Sequence, residues 1–210
     1  MAKLYFLGGE NVFRRDAKEV NEKAFLDAGG TPKVLVFPWA RPSFDAVYLR
    51  RKRVSEYFRS LGASSVDFAE YSDSIEEIKA KARSSNLIYL TGGQVSTLLS
   101  RLRSKRAGDW LGEFEGVLVG RSAGALVLGK KCLVTNRYSR RSKLIKCLGF
   151  VDFSVKTHYD SSQDDLLKKL SRKEKFYAIP TRSALICEGA VLSFIGDVFL
   201  FESGEKIFLR

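Results

Sequence analysis

Short apolar runs alternate with longer amphipathic segments through the first half of this chain. The apolar runs have the length of strands, whereas the segments between them repeat apolar residues at helical spacing. The predicted strands are 4–7, 33–37, 66–68, 87–90 and 116–119, and the predicted helices are 17–28, 45–61, 74–83 and 95–102. Buried strands separated by helices are typical of a mostly parallel sheet with helices on both faces, so we predict an α/β fold.

The last third of the chain has a different pattern. After a predicted helix at 164–170, short β runs follow at 176–179, 184–187, 190–195, 198–201 and 206–209. The pairs Glu188-Gly189, Gly196-Asp197 and Ser203-Gly204 supply turns between the last four of them. We therefore predict C-terminal antiparallel strands that extend the same sheet. Because no linker interrupts the pattern, we expect one domain over 1–210.

A serine follows the predicted strand at 116–119. The run Gly120-Arg121-Ser122-Ala123-Gly124 fits the Gly-x-Ser-x-Gly pattern, in which a strand turns sharply into a helix. Glycines are needed there because the backbone folds back on itself. The helix N-terminus favours the anion formed during acyl transfer, so we predict Ser122 as a nucleophile, with a plain structural turn as the alternative.

The chain contains one histidine, His158. A serine nucleophile needs a base that titrates near neutrality, and histidine is such a base. Residues 151–159 alternate between apolar and polar positions, which places His158 on the polar face at the carboxyl end of a predicted strand. Ligands usually bind at that edge of an open α/β sheet, so we predict His158 as the base rather than an ordinary surface histidine.

The sequence leaves open which group orients the histidine. Asp152 is the only acid between Ser122 and His158, but six residues along one strand separate it from the histidine by about 20 Å. Asp160 lies two residues beyond the histidine and is one candidate. Asn136 is a second candidate, because an amide can hold a histidine in one tautomer.

Composition narrows the function classes. Three scattered cysteines and one histidine do not match the ligand spacing of a zinc site, so we expect no metal. No apolar run approaches the roughly 20 residues needed to span a bilayer, and the N-terminus lacks a signal-peptide cleavage site. We therefore expect a cytoplasmic protein without a membrane partner.

The chain carries a net charge of +12, and its basic residues bunch at 50–53, 101–106, 137–146 and 168–175. Such runs either attract an anionic partner, such as nucleic acid or an acidic substrate, or form solvated helix faces. They lack the regular interleaving of stacking aromatics that single-strand binders use. We therefore favour solvated faces and expect no nucleic-acid partner.

Three motifs together resemble those of the peptidase E family. They are Tyr89–Gln94, Gly120–Ala125 and Thr157–Asp160, in the order and approximate spacing of that family. It is the serine peptidase family of aspartyl dipeptidases and cyanophycinases, and its flavodoxin-like fold resembles class I glutamine amidotransferases. The resemblance implies Ser122 as nucleophile, His158 as base, and an oxyanion hole formed by the backbone N–H groups of Gly93 and Ala123. It implies no cofactor and a small peptide substrate. Whether the protein forms a homodimer is left open.

The chain departs from the family at two acidic positions. The family carries an acid soon after a Thr-Asn pair, whereas here Arg137 follows Thr135-Asn136. A second family acid usually follows an Ile-Pro pair, whereas here Thr181-Arg182 follows Ile179-Pro180. We therefore expect a serine peptidase of the aspartyl dipeptidase type and keep two alternatives. One is a serine hydrolase of this fold with a non-aspartyl substrate, and the other is a catalytically impaired binding protein.

Overall fold

The computed structural model describes residues 2–41, 48–135 and 142–209. The strands are β1 (Lys3–Leu7), β2 (Lys33–Phe37), β3 (Ser65–Phe68), β4 (Leu87–Leu90), β5 (Val117–Arg121), β6 (Lys131–Thr135), β7 (Ser142–Lys146), β8 (Ser154–Thr157), β9 (Phe176–Ile179), β10 (Ala184–Glu188), β11 (Val191–Ile195), β12 (Val198–Glu202) and β13 (Glu205–Leu209). The helices are α1 (Lys18–Asp27), α2 (Tyr48–Ser60), α3 (Ile75–Arg83), α4 (Val95–Ser104), α5 (Ala107–Leu111), α6 (Ala123–Leu128) and α7 (Asp164–Ser171), with a 3-10 helix at Ser161–Gln163. Within these described ranges, no helix is long and apolar enough to cross a membrane.

The first sheet has seven strands in the order β11-β10-β1-β5-β4-β2-β3. The five strands from β1 to β3 in that order are parallel. β10 pairs antiparallel with β1, and β11 pairs antiparallel with β10. Successive residues of β1 face opposite layers, with Tyr5 packing in the layer of α1 and α2 and Phe6 in that of α3, α4 and α6. The predicted α/β fold, a mostly parallel sheet with helices on both faces, is confirmed.

Local sequence explains where the elements begin and end. β2 and β4 are almost entirely buried, which accounts for their continuous apolar sequences. Helix α3 begins at a capping box, in which the Ser74 hydroxyl accepts from the Glu77 N–H and the Ser74 N–H donates to the Glu77 carboxylate. The predicted helix at 45–61 is present as α2, and residues 42–47 lie outside the described residues.

The C-terminal strands are divided between two sheets, which the sequence analysis did not predict. β10 and β11 extend the first sheet as expected, whereas β9, β12 and β13 belong to a second sheet of order β13-β12-β9-β8-β6-β7. The β6–β7 hairpin in that sheet was also missed. Alternating apolar residues and turn pairs predict that strands are antiparallel neighbours, but they do not determine which earlier strand each one hydrogen-bonds to.

The two sheets meet at the side of the first sheet where its parallel strands end. The carboxyl ends of β1, β2, β4 and β5 lie at this edge because those strands are parallel. β8 of the second sheet ends there too, since the His158 N–H donates to the Gly8 carbonyl at 3.0 Å. Helix α6 packs against strands of both sheets, with Ala125 and Val127 fully buried in their common core. Residues from both sheets therefore line one cleft.

Candidate active site

Ser122 occupies the sharp turn between β5 and α6. Its backbone has φ 52° and ψ −108°, a conformation that non-glycine residues rarely adopt. The Ser122 N–H donates to the Leu7 carbonyl at 2.9 Å, which holds the turn against β1. The two flanking positions require glycine because a Cβ atom would not fit at either of them. A Cβ on Gly120 would lie 2.5 Å from the carbonyl carbon of Gly124, and a Cβ on Gly124 would lie 2.3 Å from the Leu90 oxygen.

His158 follows β8 and comes within hydrogen-bonding distance of the serine. Its Nε2 atom lies 2.8 Å from Ser122 Oγ. The backbone of His158 has φ 50° and is fixed by the hydrogen bond from its N–H to Gly8. The imidazole packs on Gly9, where a Cβ would lie 2.3 Å from the ring atom Cε1. The structure thus brings together two residues that the sequence separates by 36 positions.

The local charge favours a neutral imidazole. Burial lowers the pKa of His158 below its ordinary value of 6.5, and the positive charges of Lys156 and Arg121 lower it further. A neutral ring with its proton on Nδ1 leaves the Nε2 lone pair free to accept the Ser122 hydroxyl proton. The site can therefore carry out general base chemistry near neutral pH.

The far side of the ring has a different partner from either candidate named in the sequence analysis. His158 Nδ1 lies 3.3 Å from the hydroxyl oxygen of Thr181. Asp160 instead caps the 3-10 helix, with its carboxylate accepting from the Ser162 N–H at 2.9 Å. The short side chain of Asp160 is directed at the helix start, so in this structure the Thr181 hydroxyl, and not the Asp160 carboxylate, lies beside Nδ1. Asn136 lies outside the described residues.

The two predicted oxyanion donors flank the serine in the fold. Ala123 is the first residue of α6, so its N–H is among the helix-terminal donors that have no intrahelical acceptor. Gly93 lies in the turn between β4 and α4, where a Cβ would stand 2.5 Å from the Ala40 oxygen. A Cβ on the preceding Gly92 would lie 3.2 Å from Ser122 Cβ, so this turn passes directly beside the serine.

A buried ion pair that the sequence analysis missed lies next to the serine. Arg121 and Glu10 are 3.2 Å apart, and their side chains are 15% and 1% exposed. Within the described residues, Glu10 Oε1 and Arg121 Nε are buried without a hydrogen-bond partner. The two residues are separated by 111 positions, so only the folded chain brings them together. The sequence signal that they lie at the site is their position beside the Gly8-Gly9 turn and within the serine motif.

The site opens into a cleft of about 960 Å³. Its wall includes the pair formed by Glu10 and Arg121, together with Lys156 and Arg41. A side pocket of about 190 Å³ shares Glu10, Arg41 and Arg121 with the cleft and adds Arg15 and other side chains. Among the described residues, no group of three or more His, Cys, Asp or Glu side chains is arranged to hold a metal ion. Of the charged residues that line the cleft, Arg41, Arg121 and Lys156 are positive and Glu10 is negative, a balance that suits an anionic or polar ligand.

The sequence and the fold were compared with those of known proteins. The sequence model of peptidase family S51 matches residues 5–199. A protein of Listeria monocytogenes described as an uncharacterized peptidase is 27% identical over 143 residues, which span 62% of this chain and 70% of that protein.

Two solved structures have the same fold. A peptidase from an acI-B1 actinobacterium is 21% identical with a TM-score of 0.71, and the match covers 100% of this chain and 94% of that one. A Listeria monocytogenes protein described as a candidate peptidase E is 20% identical with a TM-score of 0.66, and the match covers 93% of this chain and 98% of that one.

Proposed function

Since this chain belongs to peptidase family S51, a family of serine peptidases, we propose that it hydrolyses short peptides with Ser122 as nucleophile and His158 as general base. The observation that carries the proposal is the 2.8 Å contact between Ser122 Oγ and His158 Nε2. The lowered pKa of His158 supports it, because a neutral imidazole is the form that accepts a proton.

The proposed reaction proceeds through an acyl-enzyme. Ser122 Oγ attacks the scissile carbonyl while His158 takes the hydroxyl proton, and the backbone N–H groups of Gly93 and Ala123 stabilise the resulting oxyanion. His158 then gives the proton to the leaving amine, which breaks the C–N bond. A water molecule then attacks the ester carbonyl while His158 accepts the water proton, and His158 returns that proton to Ser122 Oγ as the acyl C–O bond breaks and the acid product leaves. The chemistry requires no metal or organic cofactor.

We propose an acidic residue, such as aspartate, before the scissile bond. Lys156 and Arg41 line the cleft at Ser122, and a carboxylate there would gain from their positive charge.

One observation favours a second candidate, a serine hydrolase with a non-aspartyl substrate. Glu10 already pairs with Arg121, the residue before the serine, so that guanidinium is largely neutralised before any substrate binds.

We test the two candidates with matched dipeptides. Asp-Leu, Glu-Leu, Asn-Leu and Ala-Leu are incubated with the wild-type enzyme and with Ser122→Ala, and the released leucine is measured. Hydrolysis of Asp-Leu well above Asn-Leu, lost in the variant, supports the aspartyl proposal, because the two substrates differ mainly in charge. Equal hydrolysis of both supports the second candidate.

Covalent labelling tests the nucleophile without a known substrate. A fluorophosphonate probe reacts with an activated serine, so we expect labelling of the wild-type enzyme and none of Ser122→Ala. The exposed hydroxyl of Ser104, which lies on α4 outside the cleft, supplies the matched control Ser104→Ala. Absence of labelling in the wild-type enzyme would contradict both enzymatic candidates.

We also propose a cytoplasmic location and a peptide rather than a nucleic-acid ligand. Cys132, Cys147 and Cys187 are buried free thiols, which is typical of proteins from reducing compartments. The ligand proposal rests on the cleft, which Ser122 and His158 line together with Arg41, Arg121 and Lys156.

A further inference from the structure

The two ring nitrogens of His158 both face hydroxyl groups. Nε2 lies 2.8 Å from Ser122 Oγ and Nδ1 lies 3.3 Å from Thr181 Oγ1. We propose that Thr181 is the positioning residue of the base, with its hydroxyl accepting a hydrogen bond from the His158 Nδ1–H. This contact holds the proton on Nδ1 and turns the Nε2 lone pair toward Ser122. The catalytic consequence rests on the proposed function, whereas the placement of the proton does not.

The backbone fixes Thr181 relative to the ring. Strands β8 and β9 are parallel with Thr157 opposite Ile179, and the Tyr159 N–H donates to the Ile179 carbonyl at 3.2 Å. Pro180 then restricts the backbone before Thr181. On the other side of Thr181, the Arg182 N–H donates to the Gly9 carbonyl at 2.8 Å. The segment after β9 is therefore tied both to the strand that carries His158 and to the turn on which its ring packs.

The branched side chain suits this role. A β-branched residue has few χ1 rotamers, so the hydroxyl of Thr181 loses little freedom when it meets the ring. Thr181 is exposed, so water competes for the same contact and the energetic contribution is modest. Its function is thus to select one tautomer and one ring orientation.

A neutral partner gives this base an unusual charge environment. The charged groups that act on the ring are Lys156 on β8 and Arg121 at the end of β5, and both are positive. The nearby acids are engaged elsewhere, Asp160 with Ser162 and Glu10 with Arg121. A hydroxyl stabilises the imidazolium far less than a carboxylate would, because it carries no charge. The base therefore stays neutral at lower pH, and the imidazolium formed during acyl transfer receives less stabilisation.

The single histidine makes the inference directly measurable by NMR without a substrate. In the wild-type protein the imidazole nitrogen shifts should report a proton on Nδ1, and Thr181→Ser should preserve this. Thr181→Val should raise the population protonated on Nε2, since the acceptor is lost. Thr181→Asp should raise the pKa of His158 by about one unit or more, because it places a carboxylate beside Nδ1. Thr31→Val, at an exposed threonine before β2, is the matched control.

The same variants are then compared by the rate of fluorophosphonate labelling across pH. We expect Thr181→Val to be labelled about two- to tenfold more slowly than the wild-type protein, and Thr181→Ser to be labelled near the wild-type rate. For Thr181→Asp, the fall in labelling rate on the acidic side should occur at a higher pH than in the wild-type protein. An unchanged tautomer in Thr181→Val together with an unchanged His158 pKa in Thr181→Asp would overturn the inference. If the NMR changes appear but the wild-type protein does not label, the positioning contact stands and the proposed function fails.

Discussion

The imidazole of His158 lies so close to Gly9 that a methyl group on that glycine would stand 2.6 Å from Nδ1 and 2.3 Å from Cε1. Gly9 lies in the turn after β1 of the first sheet, whereas His158 directly follows β8 of the second sheet. The contact therefore sets the position of the base relative to the nucleophile across the junction of the two sheets.

Gly9→Ala should displace the imidazole and lower activity. Real Cβ atoms do not approach neighbours as closely as 2.3 Å, so the ring must move away from its present place beside Ser122. A displacement of about 1 Å can cost about 100-fold in rate, and we expect a loss of that order in fluorophosphonate labelling. Gly29→Ala is the control, because Gly29 also has positive φ but has no atoms within 4 Å of an added Cβ. Equal labelling of both variants would contradict the steric argument.

The pH dependence of the reaction should follow the lowered pKa of His158. Labelling needs the neutral imidazole, so its rate should fall as pH drops, with the midpoint below 6.5. Because the folded protein binds this proton less readily than the unfolded chain does, the same group makes the protein less stable as pH falls below 6.5. The second effect is measured by urea unfolding of the wild-type protein and His158→Gln between pH 5 and 8. A labelling midpoint above 6.5 would contradict the lowered pKa, because burial and the positive neighbours both act in the same direction.

Lys156→Met should raise the pKa of His158. Lys156 is one of the two positive groups that disfavour the imidazolium, and methionine keeps a similar length without the charge. The NMR titration of the single histidine measures this shift, and the acid limb of labelling should move upward with it. Lys79→Met on α3 is the control and should leave the midpoint unchanged. A downward shift in Lys156→Met would mean that burial outweighs the removed charge.

The parts of the site that lie within one sequence motif were predictable. Ser122 is predicted because the glycines and the preceding apolar strand are contiguous, and His158 because strand alternation places it at a carboxyl end; their catalytic roles stay predictions. Thr181 was not predicted, since it lies 23 positions after the histidine and meets it only through the pairing of β8 with β9. No local pattern reports such a pairing.

The same distinction applies to the fold. The parallel strands could be predicted because each is buried on both faces and therefore continuously apolar. The division of the C-terminal strands into two sheets depends on long-range hydrogen bonding, as with β10 on β1 and β12 on β9. The pair of Glu10 and Arg121 was missed for the same reason, because only the folded chain brings these two residues together.

Breaking the buried pair of Glu10 and Arg121 should destabilise the protein. Glu10→Gln keeps the shape of the side chain but leaves the guanidinium uncompensated in a nearly buried position. Loss of one partner of a buried pair costs roughly 3–5 kcal/mol, and we expect the lower end because Arg121 retains 15% exposure. Asp109→Asn breaks the exposed pair of Arg106 and Asp109 and should cost at most about 1 kcal/mol. Urea unfolding measures both, and similar losses would contradict the assigned burial.

Ser122→Gly should be more stable than Ser122→Ala while both lack labelling. The backbone at Ser122 has φ 52° and ψ −108°, and strained residues of this kind cost roughly 1–3 kcal/mol. Glycine adopts this conformation without strain. Its larger conformational entropy in the unfolded chain offsets up to about 1 kcal/mol of the stability gained by relieving the strain. Alanine keeps the Cβ and so keeps the strain. The difference between the two variants in urea unfolding should therefore favour glycine by about 1 kcal/mol, and a more stable Ser122→Ala would mean that the turn stores no strain for the nucleophile.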